Sequence, residues 1–123
     1  MDDVEPTREL AHETWSEYFD AVSKELLNAQ ISIEIGDAPD PTRIETEPLT
    51  LHELTYDGRG DVFEVAATPC GSQARSVRRH LVEHPERVLV DSRTVLAPLT
   101  ITVDGKDGLR AVITIEDEPV LFD

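Results

Sequence analysis

The sequence is short of cysteine, lysine and aromatic residues, and it has no long apolar run. Each scarcity closes off a class of protein. A lone cysteine, Cys70, excludes an internal disulfide and any metal cage built from several thiolates. No apolar stretch approaches the roughly 18 residues that a membrane-spanning helix needs. The N-terminus, Met-Asp-Asp-Val-Glu-Pro, is acidic, whereas a signal peptide opens with positive charge. A cytoplasmic location and no membrane partner are therefore expected. Lysine occurs only at positions 24 and 106, so the other nine of the 11 basic residues are arginines.

What the chain has in excess is acid. Its 26 carboxylates leave a net charge of −15 on 123 residues. Such a balance keeps a protein soluble through repulsion. With so little lysine it also resembles the composition of proteins from salt-accumulating halophiles, the alternative being an acidic protein from a GC-rich mesophile. The difference bears on partners. In molar salt the screening length is about 3 Å, which leaves a nucleic-acid partner open; in dilute buffer the charge argues against one.

Periodicity organises the rest. A chain of this length suits one domain, read here as residues 7–117 between an acidic lead-in (1–6) and an acidic tail (118–123). Trp15, Phe19, Val22 and Leu26 fall on one helical face, with the helix starting near residue 11 or 12. The period then changes to two at Ile31, Ile33 and Ile35. Leu49 and Leu51 alternate, and Leu54 and Tyr56 resume one residue out of phase, which predicts a bulge near His52-Glu53. Asp57-Gly-Arg-Gly-Asp61 and Asp104-Gly-Lys-Asp-Gly108 read as hairpin turns, and Thr68–Gln73 as a loop. Short connections favour antiparallel pairing. The fold class is α+β: one N-terminal amphipathic helix packed on a curved, mainly antiparallel sheet of six to seven strands.

Several stretches carry a family likeness: Trp15-Ser-Glu-Tyr-Phe-Asp20, Ile31-Ser-Ile-Glu-Ile-Gly-Asp37, Leu54-Thr-Tyr-Asp57 with Asp61-Val-Phe-Glu-Val65, and Arg79-His-Leu-Val-Glu-His-Pro85. In this order and spacing they resemble a family of small uncharacterised prokaryotic proteins, a domain of unknown function, over roughly residues 7–117. Its members often place a proline where this chain has Ala11, which supports the later helix start. The resemblance implies no activity, cofactor or residue role.

Candidate chemistry concentrates between Arg75 and Pro85. Nothing acidic occurs between Glu64 and Glu83, and residues 75–93 hold five arginines against three carboxylates. Arg75, Arg78, Arg79, His80 and His84 are the candidate binding residues, because a guanidinium offers a fixed fork of donors to a phosphate or carboxylate. If the segment is a helix, His80 and His84 share a face; if a strand, four residues span about 13 Å, too far to share a metal ion. As a strand it has two parities. Val77, Arg79 and Leu81 form the more apolar one, expected to face the core, which turns Arg78 and His80 outward together. No metal or other cofactor is expected, and the Asp-Gly turns lack the ligand order of a calcium loop. Cys70 has no base tied to it by spacing, and no aromatic residue near the arginines could stack a base.

The leading expectation is a small non-enzymatic binding or interaction module whose partner is a protein or an anionic group. One alternative is a small-ligand binder or enzyme in which His80 works with Arg78 or Arg79 as an anion clamp. The other is an RNA- or ribosome-associated factor in a high-salt cytoplasm.

Overall fold

The computed structural model describes residues 7–43, 48–69, 77–92 and 99–116. The acidic lead-in, the acidic tail, Cys70 and Arg75 lie outside these segments. In chain order come β1 (Arg8–Glu9), a 3₁₀ turn (His12–Thr14), α1 (Trp15–Glu25), β2 (Gln30–Asp37), β3 (Thr42–Arg43), β4 (Leu49–Asp57), β5 (Val62–Pro69), β6 (Arg78–Glu83), β7 (Pro85–Ser92), β8 (Leu99–Gly105) and β9 (Leu109–Ile115).

All the strand pairs are antiparallel, and the ladders follow the path β1-β7-β8-β9-β2-β4-β5-β6, with β3 beside β2. The path has eight strands, which corrects the expected six to seven. A second correction is that the helix is not the first element, since β1 precedes it and pairs with β7. The additions β1 and β3 are two residues each, too short to carry an alternation that periodicity can detect.

β6 pairs with β5, β7 pairs with β8, and only His84 separates β6 from β7. The ladder path therefore returns on itself through the covalent chain and encloses one core. Ile31, Ile33, Leu49, Leu51, Leu54, Phe63, Val65, Val82, Ile101 and Ile113 line it. The alternation explains this set, because each strand contributes every second residue to the dry face.

The phase slip in β4 is a bulge between Leu51 and Glu53, as the sequence predicts. Its consequence is structural. β2 and β4 share only two register pairs, Gln30 with Thr50 and Ile31 with Leu49, and then diverge. α1 covers the exposed stretch of β4. The Ser23 hydroxyl accepts from the Leu54 N–H at 2.6 Å and donates to the Leu54 carbonyl at 2.8 Å. Asn28 N–H donates to the Leu51 carbonyl, and Leu51 N–H donates to that of Ala29. The edge groups that a missing strand would have satisfied are thus met by the helix and its exit. Trp15 and Phe19 are buried beneath it, and Phe19 lies 5.0 Å from Phe63 between ring centres. Each such ring contributes about 1.5–3 kcal/mol through burial.

Candidate functional site

The segment singled out by charge is a strand, β6, ending in a corner at His84. Its burial alternates. Arg79, Leu81 and Glu83 are exposed, as is Val77 just before the strand, Val82 is buried, and Arg78 and His80 are half-buried. This reverses the expected parity. The pair Arg78 and His80 shares one side of the strand, but that side is the inner one, opposite Ala67 and Val65 of β5. The reason lies in the partner strand: Phe63 stands across from Val82, so the face holding one valine meets the core and the face holding two apolar residues does not. The Nε2 atom of His80 is fully buried.

Arg79, on the outer row, donates to Glu64 at 2.7 Å. That hydrogen bond, ahead of the charge attraction itself, raises the guanidinium pKa. Below Leu81 and Glu83 the β8–β9 turn closes a shallow pocket of about 250 Å³ with Gly105, Lys106, Asp107 and Leu109. Drug-sized ligands occupy pockets of roughly 300–1,000 Å³, so this one suits a side chain better than a cofactor.

At the corner, His84 and Asp61 both adopt left-handed backbone, with φ of 52° and 57°. Asp and His are among the residues that tolerate this region. Their main chains meet, His84 N–H donating to the Asp61 carbonyl at 2.8 Å, and so do their side chains, with Nδ1 3.2 Å from Oδ2. Tyr56 donates its hydroxyl proton to the other Asp61 oxygen at 2.6 Å, and His12 Nε2 lies 3.2 Å from the same hydroxyl. The Tyr56 and His84 hydrogen bonds hold the Asp61 carboxyl below its usual pKa, so it is a carboxylate and His84 Nδ1 is the donor. Burial, then the bond to Asp61, pushes the Tyr56 hydroxyl up to about 12. His12 in turn packs edge-on against Trp15 at 4.3 Å. The result is a His–Tyr–Asp–His chain of hydrogen bonds that fastens the β4–β5 turn to the β6–β7 corner and to the start of the helical segment.

Of the sequence candidates, the structure places Arg79, His80 and Arg78 along β6 and His84 at the corner; Arg75 lies outside the described residues. His84 joins three residues that spacing did not flag, His12, Tyr56 and Asp61. They come from a turn, a strand end and a hairpin far apart in the chain, and no local pattern links them. Among the described residues no group of three or more histidine, cysteine or acidic side chains is placed to hold a metal ion. Nor does any helix among them have the length and apolarity to cross a membrane.

Fold and site together define an α+β protein with one helix on an antiparallel sheet and no assigned chemistry. The chain belongs to the Family of unknown function (DUF5335), which it matches over residues 6–121. It is 32% identical over 110 residues to an uncharacterized protein of Aquifex aeolicus (strain VF5), covering 89% of this chain and 92% of that relative. No solved structure matches.

Proposed function

We propose that the protein is a small, non-enzymatic, cytoplasmic interaction module that presents the outer row of β6 to a protein partner. The observation that carries this reading is the exposure of Leu81, at 49%, on the outer face of the last strand in the path, with Val77 just before that strand exposed at 42%. Single exposed apolar residues are ordinary on protein surfaces. Here Leu81 lines a side-chain-sized pocket and is flanked by Arg79 and Glu83, with Val77 just ahead of the strand. An apolar centre with a charged rim is the usual anatomy of an interface.

The reading as a nucleic-acid factor has less support, because Arg79 is engaged by Glu64, and Arg87 and Arg110 by Asp104. Those carboxylates take three arginines out of any contiguous basic face. The anion-clamp reading keeps one favourable observation, the shared inner side of Arg78 and His80. Inorganic phosphate that raises the melting midpoint of the wild type but not of Arg78→Gln would support it over the interaction reading.

The test of the interaction reading is site-specific photo-crosslinking. A photoreactive amino acid at position 81 should give discrete protein adducts in the native cytosol. The same group at position 27, where Leu27 is 56% exposed away from β6, should not. Equal labelling at both positions, or none at 81, would overturn the proposal.

A further inference from the structure

The pocket between β6 and the β8–β9 turn combines an apolar lining with charge of mostly one sign. Leu81 and Leu109 supply the apolar part, and the exposed side chains of Glu83, Lys106 and Asp107 supply the rest. We infer that this pocket receives an arginine side chain from a basic segment of the partner protein. This rests on the interaction reading above and names the partner's chemistry.

The backbone builds the concavity. The β8–β9 turn comes close to β6 because residue 105 is glycine. A Cβ there would lie 3.0 Å from Cγ1 of Val82 and 3.5 Å from the Glu83 carbonyl oxygen. Gly108, at φ 82°, then lets the turn reverse through left-handed backbone that a side chain disfavours. Lys106 and Asp107 are thereby held on the same concavity as Leu81 and Glu83. Its volume of about 250 Å³ admits one long side chain.

Charge selects the occupant. Glu64 stands across the ladder from Leu81 on the same face, but Arg79 already engages it. Arg87 and Arg110 are held by Asp104. Among the described residues no ion pair engages Glu83, Asp107 or Lys106, which leaves two carboxylates against one ammonium at the pocket. An apolar side chain would cover the leucines but take water from those carboxylates without replacing it. Arginine meets both demands: its stem lies along apolar surface and its fork of donors matches a carboxylate. Lysine carries a more strongly hydrated charge and lacks the fork. At larger distance the net charge of −15 draws a basic segment in and repels an acidic one, a second copy included. Lys106 opposes an incoming cation, so its removal should strengthen the site.

Peptide titration followed by backbone amide resonances tests this. The probes are acetyl-Gly-Arg-Gly-amide and its citrulline counterpart, which keeps the shape and loses the charge. In about 0.1 M salt the arginine peptide should shift the resonances of Leu81, Glu83 and residues 105–109, with a Kd on the order of 1 mM. The citrulline peptide should bind at least about fivefold more weakly. Glu83→Gln combined with Asp107→Asn should weaken the arginine peptide about fivefold, and Lys106→Gln should tighten it about twofold. Glu17→Gln combined with Asp20→Asn makes the same change of charge on the exposed side of α1, and should leave binding within about 1.5-fold of wild type. Equal losses from the two double variants would mean diffuse attraction and would overturn the inference. So would equal binding of the two peptides, or no shift at the pocket. Should a variant fail to fold, the comparison of the two peptides on the wild type still decides. Protein adducts from position 81 without arginine binding would sink the arginine site and leave the interaction reading standing.

Discussion

Tyr56 is kept neutral by its position. Its ring is buried against Trp15, and its hydroxyl faces a carboxylate, so ionisation waits until about pH 12 against an ordinary 10. A pKa raised on folding contributes stability that is fully present below pH 10 and is lost as the pH climbs towards 12. Absorbance at the tyrosinate band should therefore show Tyr56 ionising late, together with alkaline unfolding. Asp61→Asn, which keeps a residue tolerant of left-handed backbone, should bring that ionisation down. It should not bring it fully to the ordinary value, since burial is the larger cause. A titration identical in the variant would mean that the Tyr56–Asp61 bond does not form in solution. Trp15 allows a packing test on the same cluster. It is 2% exposed, and Trp15→Ala should cost about 3–5 kcal/mol in denaturant unfolding. A neutral result would mean that the helix is not docked on the sheet.

Elements are tied to one another by a few polar contacts whose loss can be measured. Ser23 joins α1 to the divergent part of β4, and Ser23→Ala would leave the Leu54 amide and carbonyl without that partner. A loss of about 1–3 kcal/mol is expected, read from the shift in urea midpoint. Asp104 on β8 ties Arg87 of β7 to Arg110 of β9, and its hydrogen bond with Arg110, ahead of the charge attraction, holds its pKa below the usual 3.8. A pKa depressed on folding contributes stability that is fully present above the ordinary 3.8 and is lost as the pH falls from there through the lowered folded-state pKa. Melting midpoints should thus drop on acidification below about pH 4, and Asp104→Asn should flatten that drop. These contacts also mark how far periodicity reaches. The bulge in β4 and the hairpin between β8 and β9 were legible, since a phase slip or a turn between two alternating runs leaves a local trace. The parity of β6 was not. Two outward apolar residues outnumber one inward valine, and only Phe63 across the ladder decides which face is dry. The chain from His12 to His84 was illegible for a related reason: its members meet through topology, and topology has no spacing rule.

For the whole molecule, the governing quantity is unneutralised acid. The 26 carboxylates outnumber the bases by 15, so most have no cation to pair with. The ion pairs that do form, such as Arg79 with Glu64, are surface contacts that contribute little, and salt weakens them. Mutual repulsion acts in the opposite direction and involves many more charges. At 0.1 M salt it extends over about 10 Å, so carboxylates on neighbouring strands act on one another; at 1 M it fades within about 3 Å. Folding brings these charges together, so screening should favour the folded chain. We expect the melting midpoint to rise by roughly 3–5 °C or more between about 0.1 M and 1 M sodium chloride, the equivalent of about 1 kcal/mol. Chloride is the right salt, because sulfate would also strengthen apolar burial and confuse the two causes. An uncharged osmolyte at matched osmolality serves as the control, since it screens nothing. If salt and osmolyte raise the midpoint equally, exclusion from the surface explains the effect. If neither moves it, the acid surface places no demand on salt, and the salt-adapted reading of the composition falls.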